Sequence, residues 1–149
     1  MKIVGDTHVH TIMSGHAHST LLENAKAAKE CGHSFMFITD HTGEMNMCPD
    51  RKAYFLCLNA TVPENFEGMH MIRGCEANIV GENGEIDMDE WLLETNEWVI
   101  ASLHTYVYKP KGYDVTTNIW LRAAENPHID VIGHCGEEPW KFDYEKGIK

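Results

Sequence analysis

The sequence predicts an α/β fold with parallel strands joined by crossover helices. Short apolar runs, rich in β-branched and aromatic residues, recur along the 149 residues, and each ends in a histidine or a glutamate. The intervals between His10, His41, Glu76, His104 and His134 are 31, 35, 28 and 30 residues. A strand–helix–strand unit takes about 30 residues or more, so this period indicates consecutive βα units.

Five runs are predicted as strands, and they cover residues 2–7, 34–39, 69–75, 98–103 and 130–133. Helix signals lie between them. Thr20 and Glu23 form a capping-box pattern, followed by helix-forming residues, and Gly32 stands where a helix-ending glycine is expected. Two further helices are predicted over 50–60 and 116–125. Asn83-Gly84, between apolar positions, predicts a small hairpin over 77–87, followed by a short helix near 88–95.

Composition limits the class of protein. A chain of 149 residues with 43% apolar content fits one domain over 1–149. The net charge of −11 argues against nucleic-acid binding, which requires a basic surface. There is no apolar run of membrane-spanning length and no signal-peptide pattern, and the five cysteines include no CxxC pair. We therefore expect a reduced, cytoplasmic protein that binds neither nucleic acid nor membrane.

The strand ends predict a metal site. Ligand chemistry collects at the carboxyl ends of parallel strands, where residues distant in sequence become neighbours. His8 and His10 are two residues apart on a strand and so share a face. A carboxylate can bridge two cations, which predicts that Glu76 joins one ion held by that pair to another held by His104 and His134.

A third ion is predicted between His16, in the loop after the first strand, and His41. Histidine and carboxylate ligands suit zinc, manganese or iron, with zinc favoured, and two to three ions per chain are expected. Three divalent ions would add +6 and take the net charge from −11 to −5, which eases the approach of a phosphate. A lone strand-end histidine is more often a hydrogen-bonded structural residue, so the prediction depends on the whole set.

Other polar residues near the predicted site leave alternatives open. Asp6 and Asp40 precede ligand histidines, and each is either a hydrogen-bond acceptor that orients a ligand or the start of an Asx turn. Glu76, His16 and Asp40 are the candidate catalytic residues, with His16, His18 or Asp40 as proton donors to a leaving group. His18 also lies close enough to contact substrate, and Cys135 is expected to be a bystander.

Three further histidines and one loop complete these expectations. His70 and His128 stand six residues before Glu76 and His134, which places them at the other end of their strands. His33 is expected in a solvated turn. The loop residues Met45 and Met47 are expected to line the mouth of the site.

Six motifs resemble those of the PHP superfamily, named for polymerase and histidinol phosphatase. They are DTHVHT at 6–11, SGHAHST at 14–20, ITDH at 38–41, RGCEANI at 73–79, LH at 103–104 and GHCG at 133–136. The chain is most similar to the stand-alone bacterial phosphatases of the trinuclear-zinc type. The resemblance implies a distorted, TIM-like β/α barrel, of which about five of seven βα units are present. It implies the metal ligands His8, His10, His16, His41, Glu76, His104 and His134.

The sequence departs from the family pattern in three places. Relatives of this type supply an Asp-x-His pair from a late strand, and none follows His134. Cys135 stands where proline is common, and His18 where an aromatic residue is frequent. We expect a C-terminally truncated or split domain, whose open sheet edge favours association with a complementing C-terminal segment or into a homo-oligomer.

The expected function is that of a metal-dependent phosphoesterase that hydrolyses a phosphate monoester of a small molecule with metal-activated water. Histidinol phosphatase is an alternative substrate assignment. A second class also stays open: a catalytically impaired PHP module that binds metal or a partner chain without turnover.

Overall fold

A parallel sheet organises the chain. The structure, a computed structural model, describes residues 3–43 and 51–147. Six strands pair in the order β1-β2-β4-β5-β6, with β3 attached to β4 off this path. The strands are β1 (Gly5–Asp6), β2 (Phe35–Ile38), β3 (Asn65–Phe66), β4 (Met69–Asn78), β5 (Trp98–Ser102) and β6 (Val131–Ile132). All pairings are parallel except that of β3 with β4, so the predicted α/β class is confirmed.

The sheet curls into a half-barrel, as expected for part of a TIM-like barrel. His8 follows β1 and His134 follows β6, and these are the two ends of the strand order. Their imidazole rings nevertheless stack with centroids 6.2 Å apart. A flat sheet would hold such residues four strand spacings apart, at roughly 4.8 Å per spacing. The carboxyl ends of the strands therefore converge on one mouth.

In the described part of the chain, four α-helices connect the strands as the sequence predicts, and a fifth, which was not predicted, follows the last strand. They are α1 (Leu21–Glu30), α2 (Lys52–Thr61), α3 (Glu90–Leu93), α4 (Tyr113–Ala124) and α5 (Tyr144–Gly147). Thr20 and Glu23 form the complete capping box of α1, and Gly32 takes a φ of 78° after it. The helix predicted over 116–125 begins three residues earlier, at Tyr113, and the first residue of the 50–60 prediction lies outside the described residues.

The hairpin predicted at Asn83-Gly84 is confirmed. The Val80 amide donates to the Glu85 carbonyl at 2.8 Å, and Ile79 and Ile86 form an antiparallel bridge. Gly84 takes a φ of 76°, and a Cβ there would lie 2.5 Å from the Ala123 backbone nitrogen. Both the turn and the packing against α4 therefore require glycine.

Several observed strands are shorter at their ends than predicted, and two larger differences separate the observed strands from the predicted ones. The third predicted strand ends at Cys75, whereas β4 continues to Asn78, because neighbouring segments hold it on both sides. The Thr42 amide donates to the Glu76 carbonyl at 3.0 Å, and the Ile79 amide to the Ser102 carbonyl at 2.9 Å. Glu76 thus lies within the strand instead of after it. The strand β3 was not predicted. It turns back onto β4 through Gly68, which takes a φ of 87°.

Two apolar clusters fix the sheet beneath the mouth. Phe55 of α2 and Leu92 of α3 pack with Met71 of β4 in the first cluster. Ile119 and Trp120 of α4 pack with Ala101 of β5 in the second. Within the described ranges, no helix is both long and apolar enough to cross a membrane.

The close contact between β4 and β5 gives a test of this fold. A Cβ on Gly74 would lie 2.2 Å from the backbone carbonyl oxygen of Trp98, which cannot move without breaking the sheet. We expect Gly74→Ala to lower the free energy of unfolding by about 1–3 kcal/mol, measured by urea denaturation. Gly43→Ala is the control, because a Cβ there meets no described atom within 4 Å. Equal stability of the two variants would contradict the packing of β4 on β5.

Candidate metal centre

The Glu76 carboxylate lies at the centre of the mouth. Its side chain is 1% exposed, and histidines surround both of its oxygens. Oε2 lies 3.2 Å from His8 Nε2, 3.2 Å from His10 Nε2 and 3.0 Å from His41 Nδ1. Oε1 lies 2.9 Å from His134 Nε2 and 3.5 Å from His104 Nε2. The carboxylate thus joins two sets of histidines, one to each oxygen.

His16 extends the cluster away from Glu76. Its Nε2 lies 2.7 Å from His41 Nε2, so the His41 ring faces His16 with one nitrogen and Glu76 with the other. Potential ligand atoms form three overlapping groups, each within 4.8 Å: His8, His10 and Glu76; His10, His16 and His41; and His41, Glu76 and His104. These groups contain six of the seven residues predicted as metal ligands, and the seventh, His134, lies against Glu76 Oε1, so all seven meet in one place.

The chemistry of these contacts fits divalent cations. His41 Nδ1 and Glu76 Oε2 are buried and face each other, yet neither has a hydrogen-bond partner among the described residues. Buried polar atoms are rarely left so. Two atoms bound to one tetrahedral zinc ion lie roughly 3.3 Å apart, since each bond is about 2.0–2.1 Å long. The distances around Glu76 match that spacing, and neutral imidazole nitrogens facing a carboxylate provide the ligand types that zinc takes.

Strand ends position the histidines. His41 lies three residues beyond β2 and pairs with Glu76 as a parallel bridge, and its side chain is 4% exposed. His104 lies two residues beyond β5, and His134 two residues beyond β6. His134 takes a φ of 29°, a conformation that costs free energy for a residue with a Cβ. Such backbone strain is typical of functional sites, and here it accompanies the 2.9 Å contact with Glu76.

Opposing effects set the charge states of the cluster. Burial raises the pKa of Glu76, but the contacts with four histidines outweigh it and hold that pKa well below the usual range. Burial lowers the pKa of His41 and is only partly offset by Glu76. The contact with Glu76 raises the pKa of His134. The carboxylate therefore stays ionised, and the most buried ring favours its neutral form, which is the form that binds metal.

Asp40 lies behind the cluster and does not face the mouth. It is fully buried, and its oxygens accept hydrogen bonds from the Thr11 amide at 2.7 Å, the Thr11 hydroxyl at 2.8 Å, the Ser14 hydroxyl at 2.6 Å and the Tyr54 hydroxyl. Burial and the charge of Asp40 raise the pKa of Tyr54, so the phenol remains a donor. These contacts favour the orienting alternative for Asp40, and its proton-transfer role stays a prediction without support here.

Asn78 belongs to the site, although the sequence analysis did not predict it. Its side-chain oxygen accepts from His104 Nδ1 at 2.6 Å, and its amide nitrogen donates to Asp87 Oδ2 at 2.7 Å. It is two residues after Glu76 on β4 and so shares a face with it. The two-residue spacing from Glu76 could have identified Asn78 as part of the site. The predicted strand ended at Cys75, however, and so did not include Asn78.

The remaining candidates lie outside the three ligand groups. His70 is exposed and contacts the Glu64 carbonyl, and the ring of His128 lies beside the Glu90 carboxylate. Asp6 accepts from the His8 amide at 3.1 Å, which matches the Asx-turn alternative. Three other residues considered from the sequence join no group: His18 and Cys135 are exposed, and His33 is partly exposed. Met45 and Met47 lie outside the described residues.

Fold and site together define a class: a β/α partial barrel with a histidine–carboxylate cluster at the carboxyl ends of its parallel strands. The PHP domain model matches residues 6–141, and the chain belongs to this family. The resemblance seen in the sequence is thereby confirmed.

Curated relatives carry the name probable phosphatase. One from Vibrio campbellii is 40% identical over 149 residues, which is all of this chain and 59% of the relative. Another, from Caldanaerobacter subterraneus, is 40% identical over 150 residues and 58% covered. A third, from Vibrio cholerae, is 38% identical over 148 residues and 59% covered. The chain thus spans somewhat more than half the length of the curated relatives it matches.

Metal binding to this cluster is testable by thermal unfolding. We expect saturating zinc to stabilise the chelator-treated wild type, by about 2.7 kcal/mol when zinc is at 100 times its dissociation constant. Glu76→Ala should remove most of this gain, because it removes the ligand that both sets of histidines share. His70→Ala should keep the full gain, since His70 lies on the same strand but outside the cluster. A zinc response that survives in Glu76→Ala would place the metal elsewhere.

Proposed function

We propose that this chain is the metal-binding part of a phosphatase that hydrolyses a phosphate monoester of a small molecule. The observation that carries the proposal is the position of Glu76, whose two oxygens are each approached by a different set of histidines from separate strand ends. Membership of the PHP family and the names of the curated relatives support the same class of activity.

The residues present would hold two to three divalent ions. His8 and His10 would bind one with Glu76 Oε2, His104 and His134 a second with Oε1, and His16 with His41 a third. Zinc fits the ligand set best, with manganese or iron as alternatives. When bound, such ions supply Lewis acidity that neutralises a phosphate and activates water.

The protein's own residues would bind and orient the reacting groups. Side-chain exposure is 32% for His8 and 33% for His134, against 4% for His41, so His8 and His134 are more accessible than His41 in the described chain. His18 is exposed in the loop after β1 and is assigned to no ion, which favours it as proton donor over the buried Asp40 and over His16, which would hold the third ion.

Within phosphate esters, we favour a monoester of a small molecule as the substrate class. A monoester presents a terminal phosphate with three free oxygens, which two to three ions held around Glu76 could bind. Histidinol phosphate is a weaker assignment, because no group that would recognise an amino-alcohol is apparent in the described part of the chain.

The free cysteines Cys31, Cys57, Cys75 and Cys135 support a reducing, cytoplasmic setting.

Hydrolysis of 4-nitrophenyl phosphate tests the proposal. We expect turnover by the zinc- or manganese-loaded chain, its loss on adding a chelator, and a fall in kcat/KM of at least ~100-fold in Glu76→Gln, because even outer hydrogen-bond partners of metal ligands are worth 10–100-fold. His70→Ala should retain wild-type turnover. Bis(4-nitrophenyl) phosphate, a diester, should be hydrolysed more slowly if monoesters are the substrate class.

One result would favour the non-catalytic alternative. If the chain binds metal and remains folded but hydrolyses no member of a phosphomonoester panel, the binding-module interpretation gains support. Adding the C-terminal segment of a longer relative in trans then separates two cases. Restored turnover would mean that the module requires a complementing chain, and continued inactivity would favour metal or partner binding alone.

A further inference from the structure

One hydroxyl group connects the buried Asp40 to the metal cluster. Ser14 lies at the end of the 3-10 turn over Ile12–Ser14 and is 2% exposed. Its Oγ lies 2.6 Å from Asp40 Oδ1, 2.8 Å from His10 Nδ1 and 3.1 Å from the backbone nitrogen of His41. Ser14 therefore contacts two of the histidines that surround Glu76.

The direction of each hydrogen bond follows from the number of protons. A carboxylate only accepts, and a serine hydroxyl has one proton, so that proton goes to Asp40. The His41 backbone amide can only donate, and it donates to Ser14 Oγ. His10 Nδ1 must then also donate to Ser14 Oγ, since the hydroxyl has no second proton to offer. His10 consequently carries its proton on Nδ1.

The tautomer decides which nitrogen can bind metal. With the proton on Nδ1, the lone pair of His10 lies on Nε2, which is 3.2 Å from Glu76 Oε2 and 3.0 Å from His8 Nε2. A proton on Nε2 instead would point into the cluster and block ligation. The hydrogen bond made by the other ring nitrogen commonly sets this choice in metal sites.

We propose that Ser14, aligned by Asp40, is the positioning residue that fixes His10 in the Nδ1–H tautomer and directs its Nε2 lone pair into the cluster. This rests on the proposed function, because His10 acts as a metal ligand only under it. Asp40 contributes through Ser14 and through the Thr11 amide, which hold the turn before His16 in place. The serine of the SGHAHST motif thereby acquires a role separate from metal ligation.

Two-bond 1H–15N NMR of the histidine rings tests the proposal, since it distinguishes a protonated ring nitrogen from an unprotonated one. The measurement uses the metal-free chain in alkaline buffer, well above the ordinary histidine pKa of ~6.5, where the rings are neutral. We expect His10 in the Nδ1–H form in the wild type and mixed tautomers in Ser14→Ala. A wild-type His10 with its proton on Nε2 would overturn the proposal without any variant.

Two controls separate positioning from general damage. Tyr54→Phe removes another donor to Asp40 but touches neither Ser14 nor His10, so it should keep the Nδ1–H form. His104 is an internal reference, because Asn78 holds its Nδ1 independently of Ser14. Circular dichroism establishes that each variant is folded. An unchanged His10 tautomer in folded Ser14→Ala would contradict the proposal.

Zinc affinity gives a second readout that does not depend on turnover. Ser14→Ala should bind zinc 10–100-fold more weakly in a chelator competition, and Tyr54→Phe less than threefold more weakly. Wild-type affinity in Ser14→Ala overturns this proposal and leaves the proposed function standing. A wild type that binds no zinc would end the proposed function, and the tautomer measured without metal would still decide the part played by Ser14.

Discussion

The structure depends on one buried carboxylate whose negative charge must be compensated. Burying an ionised glutamate is costly unless opposite charge or good hydrogen-bond donors surround it. Glu76 lies in the central strand of the sheet, fully buried, with imidazole nitrogens around both oxygens. A neutral imidazole has a single N–H, and His10 and His104 direct theirs at Ser14 and Asn78, so cations between these rings and Glu76 would compensate the carboxylate better. The position at the centre of the half-barrel is thus better suited to shared metal ions than to apolar packing.

That constraint explains the layers around the cluster. His10 and His104 each use one ring nitrogen to face the cluster and the other to contact a buried polar group, Ser14 or Asn78. Those groups are held in turn by the carboxylates of Asp40 and Asp87. Both imidazoles are therefore fixed from behind, by polar groups that Asp40 and Asp87 hold in place.

Much of this arrangement was readable from the sequence because strand ends in a parallel barrel converge. The regular spacing of His41, Glu76 and His104 was enough to predict that they meet. The backing residues were harder to predict, since Ser14 and Asn78 depend on where β4 ends and how a short turn folds onto Asp40. Strand length is set by pairing on both edges of β4, a non-local property. β3 was missed for the same reason, because only its pairing with β4 distinguishes it from a loop.

The central claim is that divalent ions bind on both sides of the Glu76 carboxylate. A crystal structure of the zinc-loaded chain, with anomalous diffraction at the zinc edge, tests it most directly. The account predicts separate anomalous peaks next to Oε1 and Oε2, each about 2.0–2.2 Å from its oxygen and within bonding distance of the neighbouring histidine nitrogens. A Glu76 side chain turned away from all peaks, with its oxygens bound only by protein hydrogen bonds, would contradict it.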